Sequence, residues 1–245
     1  MYLLLLALLP SIVLIRFVWK QDKVEKEPAG LLIKIFFFGV ISVIPAVIIE
    51  LLIGEVIDSF FVEGTTLYII IENFLGVAIV EEYVKRQATK LAAWKHKAFN
   101  YKFDAIVYCI VGALGFATFE NIFYVFENGF TVAITRAILS VPSHAIDGLI
   151  MGYFFGLAKE ADVMGNKKRK KRMLLLSLLV PTIEHGFFDA ALSSESDLIL
   201  VLFFVFVVVV DIWAIKFIKK QSAGDTRLAG TPFEVNVTAS EDKTY

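Results

Sequence analysis

Seven stretches of roughly 20 mostly apolar residues, near 1–18, 31–53, 66–84, 103–127, 130–158, 173–193 and 198–218, constrain this chain more than any other feature. A helix needs about 20 such residues to cross the hydrocarbon core of a bilayer, and inside it every backbone polar group must be satisfied within the chain. Composition agrees: 58% of the 245 residues are hydrophobic and the mean hydropathy is +0.72, against roughly 45–50% apolar residues in a soluble domain. The expected fold class is therefore all-α, a polytopic membrane helix bundle of about seven transmembrane helices lodged in the cell membrane. A soluble domain on a single anchor does not fit runs that recur along the whole length.

The loops between the runs divide by charge. Arg16, Lys20, Lys23 and Lys26 form one basic set, followed by Lys85–Lys102, Lys167–Arg172 and Lys216–Lys220. The other loops, holding Glu55, Asp58 and Glu63, then Glu127–Gly129, then Ser193–Asp197, carry almost no basic residues. The two sets alternate when there are seven spans, and the positive-inside rule then puts the N-terminus outside and the C-terminus in the cytoplasm. Met1–Ile15 has no preceding positive region and no small-residue cleavage pattern before Arg16, so it reads as a retained first helix. One membrane domain is expected over 1–220, and the polar stretch 221–245, without apolar periodicity, reads as a disordered cytoplasmic tail. The Lys85–Lys102 stretch, with Leu91, Trp94 and Phe99 among its charges, suits either a helix at the membrane surface or a solvated loop. The net charge of −1 gives no reason to expect nucleic acid as a partner. Cys109, the sole cysteine, excludes an intramolecular disulfide and any multi-cysteine metal site.

Charged groups inside the runs are the candidates for function, because one at mid-bilayer costs roughly 2.5–3.5 kcal/mol on insertion scales. Glu81 and Glu82 close the third run, Glu120 and Asn121 lie in the fourth, His144 and Asp147 in the fifth, and Glu184, His185 and Asp189 in the sixth. Residues four apart share a helix face, so Asp189 can hold the His185 ring and fix its tautomer. His144, Gly148, Gly152 and Gly156 form a stripe that lets a neighbouring helix come close, which turns His144 into a helix interface. At about 1.5 Å per residue, Glu120 and His185 fall roughly 10 Å from the uncharged side, while Glu81 and His144 fall roughly 20 Å in. Breaks near Pro142 and Pro181, or helix tilt, would close that gap. Plainer readings stand beside these: Glu81 with Lys85 and Glu82 with Arg86 as simple i,i+4 ion pairs, Glu120 as a packing hydrogen bond, Asp147 and Glu184 as capping or paired groups, and His96 as solvated.

The set EEYVK at 81–85, GFATFEN at 115–121, SVPSH at 140–144 and HGFFD at 185–189 resembles the PrsW family of intramembrane proteases, which is similar to the CAAX prenyl endopeptidases and to bacteriocin-processing membrane proteins. The resemblance covers a motif-bearing core of about 66–195 and keeps the motif order. It implies that Glu81, Glu82, Glu120, His144 and His185 are catalytic, with Asn121, Lys85 and Asp189 in support. Glu120 stands where the endopeptidases have histidine, and Arg86, not Lys85, occupies their arginine position. A single-span membrane protein in the bilayer, an anti-sigma factor cut during envelope stress or antimicrobial-peptide attack, is the substrate the resemblance implies.

Two chemistries fit these residues. A glutamate, Glu81 or Glu82, can take a proton from water and return it to the leaving amine, while His144 and His185 stabilise the oxyanion and Glu120 and Asn121 position them. Alternatively Glu82, Glu120, His144 and His185 can hold zinc, although no HExxH is present. A small ion- or proton-coupled transporter and a non-enzymatic immunity protein are the competing classes.

Overall fold

The computed structural model describes residues 2–228, all of whose regular elements are helices. They run as α1 (Tyr2–Gln21), α2 (Ala29–Phe60), α3 (Thr66–Ile71), a π-helical run (Glu72–Ala78), α4 (Ile79–Ala93), α5 (Lys102–Ile138), α6 (Ser140–Val163), α7 (Lys167–Leu192) and α8 (Asp197–Ala223). Five stretches are long and apolar enough to cross a membrane: Leu3–Gln21, Ala29–Phe60, Lys102–Val163, Lys167–Leu192 and Asp197–Ala223. The expected span over 66–84 falls in the continuous helical rod made by α3, the π run and α4. It is not among the five. Lys85 to Ala93 therefore continues this rod and is not a separate surface helix.

Lys102–Val163 is 62 residues long, about twice what one pass can use. It folds back at Gly129, whose φ of +79° is a backbone state that glycine adopts without cost. A second break follows at Leu139, so the expected fifth span splits into a short segment, 130–138, and α6. α6 then packs antiparallel on α5 along the glycine stripe. A Cβ on Gly148 would meet the Cys109 carbonyl oxygen at 2.8 Å, and one on Gly152 the Ile106 Cα at 2.6 Å. On the other side of α5, a Cβ on Gly39 of α2 would lie 2.1 Å from the Gly112 carbonyl oxygen. Backbones this close are how helices associate in lipid, where apolar side chains gain nothing by leaving one apolar medium for another.

The first half of α5 is thus the axis of the bundle, with Phe103 to Thr118 buried without interruption. α1 is tied to it by the Thr118 hydroxyl, which donates to Ser11 Oγ at 2.7 Å, and by Asn121 Nδ2, which donates to the Ala7 carbonyl at 2.8 Å. Large apolar residues such as Leu51, Phe60, Leu198 and Val201 point outward, as the lipid-facing side of a membrane protein requires.

At the basic end the N-terminus of α5 is closed by several groups. Asp104 accepts from the Tyr101 amide at 2.7 Å, and Asp225 accepts from the Phe103 amide at 2.9 Å. Thr226 and Leu228 pair with Lys102 and Asn100 through backbone bonds of 3.1 and 2.7 Å. Of the stretch expected as a tail, 221–228 forms this end of α8 and its docked continuation; 229–245 lies outside the described residues. The α1–α2 turn packs against the same place, where the Tyr108 hydroxyl donates to Glu27.

Burial pushes the Glu27 carboxyl up to about 7 and the Asp22 carboxyl, on the same turn, up to about 6. Each holds its proton in the folded chain at pH values where the unfolded chain has lost it. The stability that depends on these protons is complete below the unfolded values of 4.5 and 3.8 and declines as pH rises through 7. The thermal midpoint of the detergent-solubilised protein should therefore fall between about pH 5 and pH 8, and Glu27→Gln should flatten that fall. An equally steep decline in the variant would assign the pH dependence to other groups.

Candidate active site

Lys85 is the centre of the site. Its side chain is fully buried, and its ammonium donates to Glu81 Oε2 and Glu82 Oε1, both at 2.8 Å, and meets His144 Nδ1 at 3.0 Å. The same ammonium lies 4.4 Å from the centroid of the Phe116 ring. One cation thus joins α4 to α5 and α6. Glu82 Oε1 also meets His185 Nδ1 at 3.0 Å, which brings in α7. Glu82 does not pair with Arg86, which instead donates to the Leu174 carbonyl at 2.5 Å.

Each imidazole is held from its far side. His144 Nε2 lies 2.9 Å from Glu120 Oε2, so with Lys85 donating to Nδ1 the ring carries its proton on Nε2. His185 Nε2 lies 3.1 Å from Asp189 Oδ2, the i,i+4 contact expected from the spacing. Both His185 nitrogens face carboxylates, the pattern of a doubly protonated ring. The two rings stand nearly perpendicular, with centroids 5.4 Å apart. Behind them Asp147, fully buried, has Oδ2 3.7 Å from His185 Nδ1 and 4.0 Å from His144 Nδ1.

Depth no longer separates the groups. His144 is the fifth residue of α6, because the break at Leu139 removes 130–138 from the span in which it was counted. That break falls just before Pro142, which sits in the first turn of α6, where a missing N–H costs nothing. Pro181, by contrast, lies inside a helix that runs without interruption from Lys167 to Leu192. Upstream of Glu81 the rod widens into the π run, a local form that recurs at functional sites. Asn73 Nδ2 donates there to the Ile69 carbonyl at 2.7 Å. Gly186 lets Phe74 of this run pack against α7, since a Cβ would come within 2.6 Å of the ring.

The cluster opens onto a cavity of 560 Å³ lined by residues of α2, the π run, α4, α5, α6 and α7, among them Glu81, Glu120, His144, His185 and Asp189. Glu82 and Lys85 do not reach it. Asn121, expected beside the histidines, turns away toward α1. Sequence reasoning missed Arg136, which lines the cavity, pairs with Glu120 Oε2 at 2.9 Å and donates through Nε to Asn121 Oδ1 at 3.1 Å. Its partners lie 15 and 16 positions earlier, across the Gly129 fold, so no spacing rule points to them.

Glu81, Glu82, His144 and His185 each offer one ligand atom, all within 4.8 Å of one another. Glu120, expected in such a set, lies against the outer nitrogen of His144 instead. Two imidazoles and two carboxylates are a donor set suited to zinc, and Glu82 Oε2 is buried without a hydrogen-bond partner. The ammonium of Lys85 stands among these donors and would move aside for an ion.

The family model described as PrsW family intramembrane metalloprotease matches residues 27–214. The chain belongs to the PrsW family. Relatives called Protease PrsW include those of Geobacillus kaustophilus, 36% identical over 76% of this chain and 77% of the relative, and of Bacillus subtilis, 34% identical over 77% and 81%. That of Clostridioides difficile is 34% identical over 89% of this chain and 90% of its own length. No solved structure matches significantly. Membership makes the chain an intramembrane protease and a multi-pass protein of the cell membrane.

Removing the central cation leaves two buried carboxylates without their charge partner, a change that costs about 3–5 kcal/mol where such pairs have been broken. Lys85→Met should therefore lower the thermal midpoint sharply. The triple change Lys85→Met, Glu81→Gln and Glu82→Gln should recover most of it. A Lys85→Met protein as stable as the parent would show that the cluster does not hold the helices together.

Proposed function

We propose that the chain is an endopeptidase that hydrolyses a peptide bond in a single-span membrane protein, with Glu81 as the base. The convergence of Glu81, His144 and His185, from three helices, onto one cavity supports this most directly, with Glu82 held close behind them. Of the two adjacent glutamates only Glu81 lines the cavity; Glu82 is sealed and committed to Lys85 and His185. The transporter and immunity readings have no comparable support once family membership is known.

In this mechanism Glu81 takes a proton from a water lying in the cavity, and the resulting hydroxide adds to the scissile carbonyl carbon. His185, on the cavity wall, stabilises the oxyanion by turning its Nε2–H from Asp189 to the developing charge. Glu81 then returns the proton to the departing amine nitrogen as the C–N bond breaks. Lys85 keeps Glu82 neutralised throughout. His144 is held between Lys85 and Glu120 as a rigid wall of the pocket, and Arg136, itself held by Asn121, holds Glu120 in turn. If the protein carries a zinc ion, Glu81, Glu82, His144 and His185 would hold it, and it would supply a Lewis acid and a more acidic water. The resemblance to PrsW sequences directs the substrate search to anti-sigma factors and to the response to envelope stress or antimicrobial peptides.

Reconstituted protein should cut a single-span substrate, and Glu81→Gln should lose roughly 10²–10⁴-fold in kcat/KM while keeping its fold. Glu82→Gln should lose stability together with activity. A chelator that abolishes cleavage, with zinc restoring it, would establish the metal form, and full activity in chelator the glutamate form. Cleavage by Glu81→Gln at the parent rate would end the assignment of the base.

A further inference from the structure

Glu50 has no place in the mechanism, yet it lines the same cavity as Glu81, His144 and His185. It projects from α2, within the apolar run IPAVIIELLIG, where an acid is costly. The other acids of the cavity wall are each compensated. Glu81 has Lys85, Glu120 has Arg136 and His144, and Asp189 has His185. Glu50 forms no ion pair among the described residues, and its Oε1 is buried without a hydrogen-bond donor. The cavity therefore carries one carboxyl that no described residue pairs with an opposite charge.

Its position narrows what could supply one. α2 and α5 touch backbone to backbone at Gly39 with Gly112, and at Phe36 with Gly115. Beyond that crossing, Val43, Val47 and Glu50 of α2 and Phe116, Phe119, Glu120 and Phe123 of α5 face the same space. Val47, Phe119 and Phe123 are exposed, so this side of the cavity borders the lipid from which a membrane segment arrives. A segment seated against the catalytic cluster would pass Glu50. Most of the wall it meets is apolar, and Glu50 is the acid there that has no ion-pair partner among the described residues to hold it back from a charged side chain.

Resting on the protease reading, we propose that Glu50 is a specificity-determining residue that receives a lysine or arginine side chain of the substrate, a few residues from the bond that is cut. A cation brought within about 4–6 Å holds a carboxyl in its ionised form, and in a water-poor cavity the pair interacts more strongly than at a surface. A substrate with a neutral residue there leaves Glu50 unpaired, which is a penalty against the wrong substrate as much as a gain for the right one.

The test uses full-length protein in proteoliposomes and single-span peptides carrying lysine, norleucine or glutamate at successive positions on either side of the cut. The parent should prefer lysine over norleucine by at least about tenfold in kcat/KM at one position, equivalent to about 1.4 kcal/mol. Glu50→Gln should bring that ratio close to one, Glu50→Asp should keep most of it, and Glu50→Lys should turn it toward the glutamate peptide. Because the ratio compares two peptides on the same preparation, a partly folded variant does not disturb it. A parent that cuts all peptides without preference, or a Glu50→Gln protein that keeps the parent ratio, overturns the proposal. Peptide affinity in the Glu81→Gln background separates the two readings. A lysine preference in binding that disappears in Glu81→Gln/Glu50→Gln supports Glu50 even if the parent cuts nothing, an outcome that would end only the protease reading.

Discussion

A lysine ammonium buried among two glutamates and a histidine is the contact on which the arrangement of helices depends. Taking three ions out of water carries a penalty of several kcal/mol for each, and only close mutual contacts offset it. Lys85 meets that condition with two carboxylates at 2.8 Å, an imidazole nitrogen at 3.0 Å and an aromatic face. Those partners stand on three helices, and Glu82 passes the connection to a fourth through His185. The helices cannot slide without uncovering a charge. In lipid, where apolar side chains give little preference for one helix neighbour over another, such a polar centre specifies which helices meet and in what register.

Glycines let this centre close. The stripe of α6 against α5 and the Gly39–Gly112 crossing of α2 on α5 bring these three helices within backbone distance, and Gly186 lets the Phe74 ring pack onto α7. α2 and α5 meet tightly near the basic end and then line a common cavity. The same packing that buries Lys85 thus leaves space beside Glu81 and His144. Stability and access are divided along the length of the helices: contact at one end, cavity at the other.

Much of this was legible in the chain itself, for reasons that differ by residue. The apolar runs announced a membrane bundle because hydropathy over 20 residues is a property of sequence alone. His185 with Asp189, and the glycine stripe, were legible because both ends of each relation lie on one helix, where spacing fixes geometry. Gly129 marked a turn in the same way. Leu139 was legible only in part: Pro142, three residues on, signals a break nearby, but counting His144 from residue 130 still placed it too deep. The π run, the turn of Asn121 toward α1 and the pairing of Arg136 with Glu120 depend on tertiary packing across chain folds. Lys85 was visible as a motif residue, but its i,i+4 relation to Glu81 suggested a surface ion pair. Only the approach of α6 and α7 turns that pair into a sealed cluster.

Glu120 shows why packing had to be known before roles could be assigned. With a carboxylate so close to an imidazole, it suggests at first one more metal ligand. Its carboxylate instead binds the outer nitrogen of His144 and shares that oxygen with Arg136. A histidine there would be neutral, whereas Glu120 brings a negative charge, and Arg136 supplies the matching positive one. Glu120 therefore supports His144 from outside the inner cluster, its charge balanced by Arg136. The four groups that converge are two glutamates adjacent in sequence and two histidines from separate helices. An acid at 120 is consistent with hydrolytic chemistry because a second charge, 16 residues away and beyond a chain reversal, accompanies it.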